Sequence, residues 1–182
     1  MYSSPRCSMK RRDGMANVWF TSDLHLGHKN IHKFRAQFES EEHHRYIIKE
    51  NYHKVVTRRD KVFFLGDIAF TQEALEDVGG WVAERKVLIV GNHCCDNISM
   101  KEIVKHFDEV YSLLKYKEFW LSHAPIHPQE LRGKYNLHGH MHFEKIDDPR
   151  YINCCLEHTD YQPIDLNTIR AKISRSQATE SK

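Results

Sequence analysis

The stretch Val18-Trp19-Phe20-Thr21-Ser22-Asp23-Leu24-His25 opens as a β-branched and aromatic run and ends on polar residues. Such a run reads as a buried strand that delivers its last side chains to a loop. The same pattern recurs downstream. Val62-Phe63-Phe64-Leu65 stops at Gly66-Asp67, and Lys86-Val87-Leu88-Ile89-Val90 stops at Gly91-Asn92-His93. Phe119 to Ser122 stops at His123, and Tyr135-Asn136-Leu137-His138 leads into Gly139-His140-Met141-His142. Five strand ends thus present Asp, Asn or His, three of them beside glycine. In open α/β sheets, ligands bind in the loops beyond the strand carboxyl ends, so these side chains are expected along one edge.

Helical spacing fills the intervals. Glu41 to Arg58 has no Gly or Pro, and Tyr46, Ile47, Ile48, Tyr52, Val55 and Val56 recur with helical period. Thr71 to Arg85 reads as a helix capped by Thr71, with Leu75, Val78 and Val82 on one face and Gly79-Gly80 as a breaking point. Ser99 to Phe107 predicts a short helix. Val110 to Leu114 and Phe119 to Ser122 predict a strand pair, Tyr151 to Leu156 a last strand, and Leu166 to Ile173 a closing helix. Strands alternating with helices predict a single layered α/β domain over residues 17–175. Residues 1–16 are basic and polar without periodicity and read as a disordered extension ahead of a second start at Met15; residues 176–182 read as a polar tail.

The 182 residues are 40% hydrophobic and 29% charged, a globular balance that can bury one core without disulfides. No apolar run reaches bilayer length and no signal-peptide pattern opens the chain, so the expected home is the cytoplasm, with no membrane partner. The five cysteines, Cys7, Cys94, Cys95, Cys154 and Cys155, make a poor disulfide framework and read as reduced thiols. A net charge of +2, with no basic stripe or aromatic platform, gives no strong nucleic-acid footprint. Histidine is the anomaly. Fourteen are present, and histidine is the commonest metal ligand.

The candidate ligand set follows the strand ends: Asp23-x-His25, Gly66-Asp67, Gly91-Asn92-His93, His123 and Gly139-His140-x-His142. Gly-Asn-His and Gly-His-x-His each arise by chance in roughly one chain in a hundred, so finding them in order after apolar strands is specific. The set offers imidazole nitrogen, carboxylate oxygen and one amide oxygen. Such donors suit Mn²⁺, Fe, Zn²⁺, Co²⁺ or Ni²⁺ rather than an all-oxygen Ca²⁺ cage.

Through Ser22–His28 (S-D-L-H-L-G-H), Gly66–Ile68 (G-D-I), Gly91–His93 (G-N-H), Ser122–Pro125 (S-H-A-P) and Gly139–His142 (G-H-M-H), the chain resembles the calcineurin-like metallophosphoesterases. The likeness runs from about Val18 to Ile169 and is closest to small uncapped bacterial and phage members, including a closing Tyr161–Ile164. It implies an α-β-β-α sandwich and two divalent transition-metal ions, with Mn²⁺ favoured. Asp23, His25 and His142 would hold one ion, Asn92, His123 and His140 the other, and Asp67 would bridge them. His93 would protonate the leaving oxygen. The implied reaction is hydrolysis of a phosphodiester or phosphomonoester, diesters favoured, by in-line attack of a metal-bridged hydroxide. The substrate would be a small phosphate ester, nucleotides among the candidates. Alternatives are a nuclease for short or single-stranded nucleic acid, a non-catalytic metal-binding interaction module, and a metal-storage protein.

One departure concerns His93. The family usually has an acid after Gly-Asn-His to orient the histidine, and this chain has Cys94, so His93 is expected to be less well tuned. An acid restored at position 94 would then preserve or raise activity. Cys94 itself reads as a small, partly buried thiol. His28, Arg35 and Arg132 lie in loops that could reach a phosphate and are the candidate substrate contacts. His138 reads as structural, and His43 and His44 as a solvated helix face beside Glu41 and Glu42.

Overall fold

In the computed structural model, which describes residues 15–180, the opening run becomes strand β1 (Val18–Thr21). The expected extension over residues 1–14 lies outside the described residues. Helix α1 (Ile31–Phe34) and α2 (Glu41–Val55) follow, then β2 (Lys61–Phe64), α3 (Gln72–Gly79) and β3 (Arg85–Ile89). Lys61 and Arg85 extend their strands by pairing in register with Val18 and Lys61. Ser40 caps α2 by accepting from the His43 N–H, and Thr71 caps α3 by accepting from Ala74. The pair Gly79-Gly80 ends α3, so the expected helix to Arg85 stops early.

After α4 (Met100–Ile103), capped by Ser99, and a 3₁₀ turn at Val104–His106, the expected single strand over Val110–Leu114 is two strands. Here β4 (Glu109–Tyr111) pairs with β3, while β5 (Leu113–Tyr116) pairs with β6 (Phe119–Ser122). One apolar run serves both sheets, and periodicity does not register the change of partner. Strands β7 (Tyr135–His138) and β8 (Tyr151–Asn153) complete the second sheet. The two-residue β9 (Ile164–Asp165) lies antiparallel beside β1. Helix α5 (Leu166–Glu180) runs past Ile173 into the expected polar tail, since no Gly or Pro stops it.

The first sheet has the order β4-β3-β2-β1-β9 and the second β5-β6-β7-β8. Strands β1 to β4 are mutually parallel, as are β6 to β8. Val62, Phe64 and Leu88 pack against Ile48 and Tyr52 of α2 and Leu75 and Val78 of α3. Their neighbours Phe63, Leu65, Val87 and Ile89 face the other way, onto Phe119, Leu121 and Leu137 of the second sheet and Ile169 of α5. Period-two alternation sends successive side chains to opposite faces, and both faces of the first sheet are buried. That is why its strands read as unbroken apolar runs. The architecture is the expected single mixed α/β domain of two sheets and helices. Among the described residues, no helix is long and apolar enough to cross a membrane.

Candidate metal centre

The carboxyl ends of β1, β2, β3, β6 and β7 meet, and backbone hydrogen bonds fix their spacing. Asp23 N–H donates to Gly66 O at 3.1 Å and His25 N–H to Asp67 O at 3.0 Å. Asp23, His25, Asp67, His140 and His142 hold φ between 45° and 69°, a left-handed conformation that costs non-glycine residues energy. Among the described residues only nine non-glycines do so, and five belong to the expected ligand set. Strain concentrated there is kept by the surrounding fold and points to function. Two glycines let the acids in. A Cβ at Gly91 would fall on the Asp67 carboxylate, and one at Gly139 on Ser22 and Asp23.

Asp23, His25 and His142 form one group whose donor atoms converge. Asp23 Oδ2 is saturated by the Ser22 hydroxyl at 2.6 Å, the His140 N–H at 2.9 Å and the Cys155 thiol at 3.1 Å. Its Oδ1 is buried without a hydrogen-bond partner, as is His25 Nε2, 3.5 Å away. His142 Nε2 is 3.7 Å from the same oxygen. Buried polar atoms are normally satisfied, so an orphaned carboxylate oxygen facing an orphaned imidazole nitrogen fits a cation between them. Burial opposes ionisation of Asp23, but the facing imidazoles and the Ser22 hydroxyl prevail and hold its carboxyl below the usual range.

The second group joins Asp67 and His123 to Asp23. His123 Nδ1 donates to Leu65 O at 2.8 Å, which leaves Nε2 facing Asp67 Oδ2 at 3.2 Å and Asn92 Oδ1 at 2.8 Å. His140 Nδ1 lies 3.0 Å from that same Asn92 oxygen. All seven expected ligands therefore stand in two adjoining groups. Asp23 borders both, a place expected for Asp67 alone. Burial works against the charge on both members of the Asp67–His123 pair. Their mutual attraction wins, lowering the Asp67 carboxyl and raising the His123 imidazole.

His93 flanks the first group, its ring 6.2 Å from that of His25, and its N–H donates to Asp67 Oδ1 at 2.9 Å. The missing acid after Gly-Asn-His is supplied three residues on, because Asp96 Oδ2 sits 2.6 Å from His93 Nδ1. Asp96 thus stands where it can orient the His93 ring, the part that the sequence assigned to the position of Cys94. Cys94 points elsewhere: its buried sulfur accepts from the backbone N–H groups of Asp67 at 3.3 Å and Gly91 at 3.2 Å. Burial pushes its thiol up to about 11. An acid at position 94 would face Asp67, whose Oδ1 is 3.9 Å from the sulfur, rather than His93. Cys94→Asp is therefore expected to lower the melting temperature of the metal-free protein by like-charge repulsion. A thermal melt at or above wild type would show that the pocket accepts a second carboxylate.

Arg35 is a correction to the sequence reading. It is only 1% exposed, so it is no substrate contact. Its Nη2 donates to Asp23 O at 2.6 Å, and its Nε and Nη2 donate to Glu157 Oε1 at 2.9 and 2.8 Å. Its Nη1 donates to His44 Nε2 at 2.8 Å. His44 is likewise buried rather than solvated, and burial and the guanidinium push its imidazole down to about 3. Glu157, which the motifs do not mark, also accepts from His142 Nδ1 at 3.0 Å and raises that imidazole. A carboxylate on the far nitrogen fixes ring orientation and tautomer for a metal ligand. Glu157→Gln is expected to weaken metal binding about 10–100-fold. A chelator-competition titration reads this, and unchanged affinity would show that packing alone sets the His142 ring.

The remaining candidates separate. His28 lies beside the first group, its ring 6.4 Å from that of His25. Arg132 is exposed and paired with Glu130 at 3.1 Å, and no contact ties it to a ligand residue among those described. His138 is buried and bonded to Gly139 O, a structural role as expected. The described cysteines are free thiols.

The sequence model of the calcineurin-like phosphoesterase family matches residues 16–170. The uncharacterized protein MJ1445 of Methanocaldococcus jannaschii is 28% identical over 186 residues, covering 92% of this chain and 97% of its own. Gene 66 protein of Mycobacterium phage L5 is 39% identical over 84 residues, 43% of this chain. That alignment spans only 40% of the phage protein's length. The crystal structure of AQ665 from Aquifex aeolicus, a protein of unknown function, is similar at a TM-score of 0.68 and 26% identity, covering 86% of this chain and 99% of that one.

Proposed function

The chain belongs to the calcineurin-like phosphoesterase family, whose members hydrolyse phosphoesters with metal, and we propose that it acts with two transition-metal ions on small phosphodiesters. The observation that carries this reading is the gathering of Asp23, His25, His142, Asp67 and His123 into two adjoining groups, with Asn92 and His140 beside the second. Asp23, His25 and His142 would hold one ion and Asn92, His123 and His140 the other, with Asp67 between them. Two such ions would supply a nucleophile at neutral pH and offset charge on the phosphate.

The protein residues do the rest. Ser22, Cys155 and the His140 N–H occupy Asp23 Oδ2 and leave its Oδ1 as the free donor. Leu65 O and Glu157 turn the Nε2 atoms of His123 and His142 toward the centre. His93, held by Asp96, would donate a proton to the departing oxygen. The donor set suits Mn²⁺, Fe, Zn²⁺, Co²⁺ or Ni²⁺, the family resemblance favours Mn²⁺ among them, and a nucleotide is among the candidate esters.

A panel of Mn²⁺, Ni²⁺, Co²⁺ and Zn²⁺ against bis-p-nitrophenyl phosphate, p-nitrophenyl phosphate, cyclic nucleotides and short oligonucleotides tests the reading. Metal-dependent turnover with diesters ahead of monoesters is expected. Metal binding with no turnover of any ester would favour a storage or interaction role, and cleavage of oligonucleotides alone would favour a nuclease.

A further inference from the structure

Nine phenylalanines occur in the chain, and only Phe34 and Phe143 are exposed, at 66% and 62%. Phe143 follows His142 directly in the chain, while Phe34 ends a line of rings that starts at the centre. Phe70 lies 5.3 Å from His25, nearly parallel to it, and 5.7 Å from His93. His28 stands edge-on to Phe70 at 5.0 Å, and Phe34 edge-on to His28 at 5.8 Å. The line is continuous from the proposed acid to solvent.

Leaving Phe34 two-thirds exposed forgoes the burial that most of the other phenylalanines have, and here the exposed ring continues an aromatic line that begins at His25. On the reading that His93 protonates the leaving oxygen, the group on that oxygen would lie beside Phe70, whose ring is 5.7 Å from that of His93. We propose that the strip from Phe70 through His28 to Phe34 is a stacking subsite for a flat aromatic ring on the ester. It selects nucleoside-type phosphoesters over esters of sugars or glycerol. The inference rests on the phosphoesterase reading and adds the substrate class to it. Stacking of a base on an aromatic side chain is worth roughly five- to a hundredfold in affinity.

The test is calorimetric binding of adenosine 5′-monophosphate, ribose 5-phosphate and inorganic phosphate to the Mn²⁺-loaded full chain. The adenosine ligand is expected to bind about tenfold tighter than ribose 5-phosphate, the lower part of the stacking range. Phe34→Ala is expected to bring the two within about twofold, and Phe34→Trp to keep the preference, as stacking requires. Because Phe34 is exposed, a melting curve close to wild type checks that Phe34→Ala stays folded. Equal affinities in the wild type, or a preference that survives Phe34→Ala, overturn the subsite while phosphate binding leaves the metal-centre reading standing. A preference lost only in Phe143→Ala also overturns it, placing the ring on the other side. Failure of all three ligands, inorganic phosphate included, overturns both readings.

Discussion

In the Asp67→Asn variant, turnover is expected to disappear for every phosphoester, together with much of the bound metal. Asp67 is buried in the second group, with Oδ2 facing His123 and Oδ1 holding the His93 N–H. Asparagine keeps the size and removes the charge. It turns one acceptor oxygen into an NH₂ donor and leaves a single neutral oxygen. Groups that only orient a ligand cost about 10–100-fold when lost, and a carboxylate set between two ions is expected to exceed that. The His123 imidazole would also lose the partner that raises it. Measuring kcat/KM alongside metal content separates this from unfolding, provided the metal-free melt is unchanged. Full metal loading with near-wild-type turnover would remove Asp67 from the centre.

His93→Asn is expected to behave in the opposite way, keeping its metal and losing rate according to the leaving group. His93 is not among the converging ligands; it flanks them, with Asp96 on its Nδ1. An alkyl or ribose alkoxide needs a proton to depart, and losing that help costs on the order of 10²–10⁴-fold. A p-nitrophenolate leaves without one, so its ester should suffer far less. The comparison is kcat/KM for one ester of each kind. Equal slowing of both would show that His93 steadies the phosphate instead of protonating the leaving oxygen.

The parts of this centre that were legible in sequence share one property: each is a local pattern. An apolar strand run followed at once by Asp, Asn or His needs no knowledge of distant partners, and β1, β2, β3, β6 and β7 all carry it. The Arg35–Glu157 pair has no such signature. Arg35 lies just past the short α1, His44 among helix-surface residues, and Glu157 in a 3₁₀ turn 122 positions from Arg35. Only the fold makes their charges meet in a buried place, and desolvation there inverts the usual reading of charged residues as surface. Asp96 was findable, since an acid three residues after His93 in a tight turn is within reach of its ring. The division at Ser112 was not, because Val110 and Leu114 look alike whichever sheet they join.

Two transition-metal ions per chain are expected at the two adjoining groups. Metal content decides it most directly: load the protein with Mn²⁺, desalt it, and measure metal per chain by mass spectrometry. Seven ligands arranged around Asp67 and the free oxygen of Asp23 predict a ratio close to two. A ratio near one would remove the group of Asn92, His123 and His140 from the account, and a ratio near zero would contradict it outright.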